Sequence, residues 1–229
     1  LKSFCKAENL NVIQVPVGHN FEMNIAAMKK QALALTGSVL INICNPNNPT
    51  GNIIDFTTMF DWINNAPETH FFLLDEAYFD YAQTNAHYKS GLELINQGKD
   101  NVVITRTFSK VYGMAGMRMG YGITTVKTAN KIKPFAAGFN LSAAGIAAAS
   151  AALDDKSFYK KSIEYNQLSK TILVDTLNEL ELEHIPSDTN FILHRIGTPL
   201  ADYAKHKQQN GVRVGRKMTL DDRWNRISL

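Results

Sequence analysis

Several short stretches of this sequence carry side chains that could work together. The segment Arg106-Thr107-Phe108-Ser109-Lys110-Val111-Tyr112-Gly113 brings two hydroxyls and an amine, and Arg118 follows on the same glycine-punctuated run. Hydroxyls, backbone N–H groups and an arginine fork are what a phosphate requires. A lysine amine attacks carbonyls only when deprotonated, which calls for desolvation or a cationic neighbour. Asp75-Glu76-Ala77-Tyr78 offers a carboxylate and a phenol, and Asn48 sits in the rigid turn Asn45-Pro46-Asn47-Asn48-Pro49-Thr50-Gly51. Each has a plainer reading. An isolated lysine is ordinarily a solvated charge, Asp75 could be a helix cap, Tyr78 could be core, and the turn could be only a loop.

The elements around them decide between these readings. Val39–Cys44, Phe71–Leu74 and Val102–Thr105 read as strands, and Met119–Ile123 as a further one. The near-continuous apolar run Val39–Cys44 suits a strand buried on both faces. Residues 10–17 read as a short strand closed by Pro16 and Gly18. Helical spacing covers Phe21–Leu35, a segment capped by Asp55 and carrying Phe56, Met59, Phe60 and Ile63, and a stretch near Ser90–Asn96. Strand–helix alternation predicts an α/β fold with a mostly parallel sheet sandwiched by helices. In such sheets ligands sit outside the carboxyl ends of the strands. Three successive carboxyl ends deliver Asn48, Asp75 and Lys110, and that convergence is the main argument for a site.

Beyond it, alanine-rich Leu141–Leu153 reads as a tightly packed helix, and Asp155 to about Leu182 as a long amphipathic one. Phe191–Leu193 and Val212–Val214 read as short strands around a helix near Leu200–Lys207. This predicts a large domain over 1–157 and a smaller C-terminal α/β domain over 158–229.

Composition excludes some functions. The 229 residues are 45% hydrophobic and 20% charged, with a net charge of +3, an ordinary globular balance. No dense Lys/Arg cluster argues for nucleic acid, and no apolar run reaches the length of a membrane span. Cys5 and Cys44 form no C-x-x-C pair, and the histidines lack zinc-type spacing. Gly113, Gly116, Gly120 and Gly122 do not keep the G-x-G-x-x-G dinucleotide spacing, and no Walker A sequence occurs.

Asn45–Gly51, Asp75–Tyr78 and Thr107–Lys110 with Arg118, in this order and spacing, resemble the pyridoxal-phosphate-dependent aminotransferases of fold type I. The run Ser109–Tyr121 resembles the histidinol-phosphate aminotransferase branch in detail, and Arg226-Ile227-Ser228-Leu229 resembles the family's substrate-carboxylate strand. The likeness spans essentially the whole chain. It implies a pyridoxal 5'-phosphate cofactor held as a Schiff base on Lys110, which then serves as general base and acid. By the same resemblance Asp75 keeps the ring nitrogen protonated, and Tyr78 and Asn48 hydrogen-bond the ring oxygen. Thr107, Ser109 and Arg118 bind the phosphate, Arg226 grips the substrate α-carboxylate, and Arg216 is a candidate for the substrate's distal end.

The implied reaction is transamination between a small-molecule amino donor and a 2-oxo acid, in a cytoplasmic homodimer with no nucleic-acid or membrane partner. A complete family member also has an N-terminal portion with a glycine-containing phosphate loop and a stacking aromatic, and a final helix. The sequence therefore reads as truncated at both ends relative to that pattern. The motifs bind a cofactor without choosing which substrate bond breaks. A decarboxylase or carbon–carbon-bond-forming synthase of the same fold, and the ligand-sensing half of a transcription regulator, stay open at this point.

Overall fold

The computed structural model describes residues 2–219 and 221–229. Its centre is a four-stranded sheet in the order β1 (Val39–Cys44), β2 (His70–Asp75), β3 (Val102–Thr107) and β4 (Gly120–Ile123). The first pairs are parallel, with Cys44 opposite Asp75 and Asp75 opposite Thr105. β4 returns antiparallel, with Thr107 opposite Gly120. The parallel register aligns the carboxyl ends of β1, β2 and β3 along one edge, where the turn after β1, Asp75 and the segment after β3 emerge side by side.

Helices α2 (Ile25–Leu33), α3 (Phe56–Asn64) and α5 (Leu92–Asn96) connect and cover this sheet. Asp55 caps α3 by accepting from the backbone of Thr57 and Thr58, as its residue type predicts. Ile41, Ile43, Phe72, Leu74, Val102 and Ile104 form the core with Ala32, Met59, Trp62, Ile63 and Leu94. Trp62 meets Phe72 edge to face at 5.3 Å.

The other sheet face differs from expectation. Leu40 is 58% exposed and Phe71 43%, so β1 and β2 are covered on one face, not both. Side chains alternate along a strand, and only one alternate set meets a helix layer in this chain. Nor is the alanine-rich helix α7 (Ala143–Asp154) tightly packed: only Gly145 and Ala149 are buried in it.

Other expectations are corrected at their boundaries. Residues 10–17 form no strand and belong to neither sheet. The helix expected over Phe21–Leu35 spans only Ile25–Leu33, capped by Asn24 through the Ala27 N–H. Short helices α1 (Lys2–Ala7), α4 (Phe79–Ala82) and α6 (Val126–Ile132) complete this part.

From α7 the chain enters α8 (Lys156–Glu179), a continuous helix of 24 residues with Asp155 as its cap. Beyond it, β5 (Phe191–Arg195) pairs antiparallel with β6 (Trp224–Ser228), and α9 (Leu200–Gln209) lies between them in sequence. Val212–Val214 is not a strand; β6 is the partner that β5 takes instead. Ile185, Leu193 and Trp224 form a small apolar cluster, and buried His194 contacts Asn225 at 3.2 Å.

Candidate active site

The turn after β1 is held from several sides. Asn45 Oδ1 accepts from the Ile54 N–H at 2.9 Å, the Gly51 N–H donates to the Asn47 carbonyl at 2.8 Å, and Asn47 Nδ2 donates to Thr50 Oγ1 at 2.7 Å. Gly51 adopts φ +85°, and a Cβ there would lie 2.4 Å from Ser187 Oγ. Only glycine combines that backbone angle with that approach. The Asp188 N–H also donates to the Gly51 carbonyl at 2.8 Å. The turn is thus a rigid platform carrying Asn48 on its exposed side.

Asp75 ends β2 and is half-buried. Desolvation pushes its carboxyl above the usual carboxylate range, while the Ala77 N–H, which donates to Oδ1 at 3.1 Å, and the Lys110 charge pull it back. The cap reading of Asp75 is thus met in part, but the cap of α4 is Tyr78. Tyr78 is buried, meets Phe191 of β5 edge to face at 5.2 Å, and accepts a long 3.4 Å hydrogen bond from Asn48 Nδ2. Lys110 Nζ sits 5.1 Å from the centroid of the Tyr78 ring. Lys110 is therefore a near neighbour of both Asp75 and Tyr78.

Arg226 of β6 joins them. Its Nη1 donates to Asn48 Oδ1 at 2.7 Å, and its guanidinium lies 4.6 Å over the Phe191 ring. The turn after β1 and the second sheet therefore meet at Asn48, whose amide serves both Tyr78 and Arg226.

After β3 the chain turns tightly. Thr107 Oγ1 accepts from the Ser109 N–H at 3.0 Å and donates to the Met119 carbonyl at 3.3 Å. This shapes the turn that holds Ser109 and Lys110 half-buried. Arg118 adopts φ +55°, and its exposed Nη1 donates to the Ala115 carbonyl at 2.7 Å. Arg118 is exposed, and no hydrogen bond, ion pair or ring contact joins it to Ser109 or Lys110. Arg216 lies exposed in an irregular segment, joined to the other candidates by no hydrogen bond, ion pair or ring contact. Among the described residues no group of three or more His, Cys, Asp or Glu could hold a metal ion. Burial and the Asp75 charge push the Cys44 thiol up to about 12, so it stays protonated and inert.

Phe191 packs on Tyr78 and Arg226 although its sequence context, an apolar strand, marks it only as core. A better signal was available for Glu76 and Arg106, which stand beside Asp75 and Thr107 in sequence and are charged residues next to buried strands.

A chain-wide match to the family model described as aminotransferase class I and II covers residues 1–229. A histidinol-phosphate aminotransferase of Moorella thermoacetica is 37% identical over 203 residues, which are 88% of this chain and 51% of that protein. The chain thus spans about half the length of the curated relatives it matches. A solved structure from Erwinia carotovora atroseptica superposes with a TM-score of 0.95 at 34% identity, covering 100% of this chain and 66% of that one. The histidinol-phosphate aminotransferase of Sinorhizobium meliloti, solved in complex with pyridoxal-5'-phosphate, superposes with a TM-score of 0.87 at 27% identity, covering 99% and 62%.

Proposed function

This chain belongs to the class I and II aminotransferases, and from that premise we propose that it carries the core of a pyridoxal-phosphate-dependent aminotransferase. The amino donor is an amino acid or a related amine of the histidinol-phosphate kind, and the acceptor is a 2-oxo acid. The names of its relatives support that substrate class. The observation that carries the reading is the proximity of Lys110 to half-buried Asp75 and buried Tyr78.

The residues present fit the cofactor. A desolvated carboxylate whose proton affinity is raised is matched by a protonated ring nitrogen. Tyr78 and Asn48 offer a phenol and an amide where a ring oxygen needs partners, and Thr107, Ser109 and exposed Arg118 offer donors for a phosphate. When bound, pyridoxal phosphate supplies an aldehyde that condenses with amines and a ring that accepts the electron pair left by a broken substrate bond.

The protein supplies the rest. Lys110 Nζ would be the amine that holds the cofactor aldehyde, and once free of it would take up and return the substrate proton. Asp75, a half-buried carboxylate, would keep a proton on the ring nitrogen by its charge. Asn48 orients both the Tyr78 hydroxyl and the Arg226 fork. Arg226 receives the substrate carboxylate, for which a planar two-pronged donor suits better than an ammonium. Arg216, in an exposed segment, takes the distal group of a phosphate-bearing substrate. We place a domain boundary near residue 157, and the working form is a cytoplasmic homodimer.

Borohydride reduction of the full-length protein with its cofactor, followed by peptide mapping, tests this reading. The label is expected on Lys110, and Lys110→Ala should lower turnover by ~10³-fold or more. Label on another residue, or no bound chromophore, would overturn the proposal.

A further inference from the structure

Directly behind the candidate site lies an ion pair that no step above uses. Glu76 follows Asp75, and Arg106 precedes Thr107. Asp75 and Thr105 are register partners on β2 and β3, so alternation turns Glu76 and Arg106 to the face opposite Asp75 and Thr107. There Arg106 Nε and Nη2 donate to Glu76 Oε2 at 3.1 and 2.8 Å. The two side chains are only 11% and 3% exposed.

The pair is fully furnished. Ser90 Oγ donates to both Glu76 oxygens, at 3.0 and 2.9 Å, and accepts from Arg106 Nη2 at 2.8 Å. The Gly91 N–H donates to Oε1 at 2.7 Å, and a Cβ on Gly91 would lie 2.3 Å from Leu74 Cδ1. The Arg106 guanidinium lies 3.5 Å over the Phe79 ring, the residue after Tyr78. One arginine therefore ties together the ends of β2 and β3, the start of α4 and the entry to α5.

Buried ion pairs contribute little net stability, because desolvation offsets most of their attraction. What a fork on a carboxylate adds is fixed geometry. Here the fixed quantity is the offset between neighbouring strand ends, one bearing Asp75 and the other leading to Thr107, Ser109 and Lys110. A cofactor that must meet Asp75 at its ring and the β3 turn at its phosphate and aldehyde spans that offset.

We propose that Glu76 and Arg106 are positioning residues that set the separation between Asp75 and the Thr107–Lys110 segment and so tune cofactor binding. This rests on the cofactor reading above. The pair acts through Asp75 and Lys110 and touches neither cofactor nor substrate.

The test uses the full-length protein as Glu76→Gln and Arg106→Lys. Glu76→Gln keeps an oxygen acceptor for Ser90 and Gly91 but removes the charge; Arg106→Lys keeps the charge but removes the fork. Far-ultraviolet circular dichroism checks folding, equilibrium titration gives the cofactor Kd, and a pH titration follows the visible band of the bound cofactor. Cofactor binding about tenfold to a hundredfold weaker, together with a displaced midpoint of the visible titration in a folded variant, supports the proposal. Reduced thermal stability with wild-type Kd and midpoint shows a merely structural pair and overturns it. If Glu76→Gln yields no folded protein, Ser90→Ala, which leaves both charges in place, is read in the same way: a displaced midpoint supports the proposal and an unchanged one overturns it. A wild-type protein with no visible band overturns the cofactor reading itself, a result distinguishable from wild-type colour with indifferent variants.

Discussion

The four-stranded and the two-stranded sheets reach the same site by different means. The first contributes through register: parallel pairing sets Cys44, Asp75 and Thr105 level, and a buried arginine–carboxylate fork locks two strand ends. The second contributes through two side chains, Phe191 against Tyr78 and Arg226 on Asn48. Register cannot shift by less than a residue without breaking a ladder of hydrogen bonds. Single side-chain contacts adjust freely. On the proposed reading, a site divided this way would hold the cofactor on the stiff side and the substrate on the adjustable one.

Perturbations should therefore separate into two kinds. On the stiff side, Asp75→Asn is expected to lower turnover on the order of a hundredfold and to weaken cofactor binding. Steady-state kinetics with a cofactor titration reads both, and equal loss of substrate affinity would blur the division.

The link between the two parts gives the next effect. Asp80, buried on α4, accepts from Tyr159 on α8 at 2.9 Å. Burial raises its pKa from 3.8 to about 6, against the pull of the Tyr159 hydrogen bond and Arg106. Below pH ~4 this carboxyl is protonated in both folded and unfolded chains and costs nothing. Between the two values the folded chain keeps a proton that the unfolded chain has released, so stability falls as pH rises. Above the folded value the full cost is about 3 kcal/mol. Asp80→Asn should thus be more stable than wild type at pH ~8 by up to that amount, a gain that shrinks toward zero by pH ~3, as measured by urea unfolding.

On the adjustable side, Arg226→Ala should raise KM for the carboxylate substrate about tenfold to a hundredfold, the worth of charged hydrogen bonds. Cofactor Kd should stay unchanged. Phe191→Leu removes an edge-to-face contact worth about 1 kcal/mol and should alter KM by a few-fold. Cofactor release from either variant would mean that the second sheet also holds the cofactor.

Much of this was legible in the residues. Val39–Cys44, Phe71–Leu74 and Val102–Thr105 declare strands by composition, and Asp55 declares its helix start by residue type. These are local consequences of backbone geometry. Residues 10–17 and Val212–Val214 have strand-like composition but join neither sheet, because a strand needs a whole ladder and not composition alone. The apolar run of β1 matches a strand covered twice, whereas coverage depends on which helices return to which face.

The sequence by itself determined the chemical inventory and its order: Asn48, Asp75, Tyr78 and Lys110 at successive strand ends, in a pattern that also carries the family likeness. Only the tertiary structure decided that Asn48 is shared between Tyr78 and Arg226, that Phe191 packs on both, and that Glu76 and Arg106 pair on the opposite face. Inventory and period follow from neighbouring residues along the chain. Pairings such as Arg226 with Asn48, separated by 178 positions, follow from packing that no local spacing encodes.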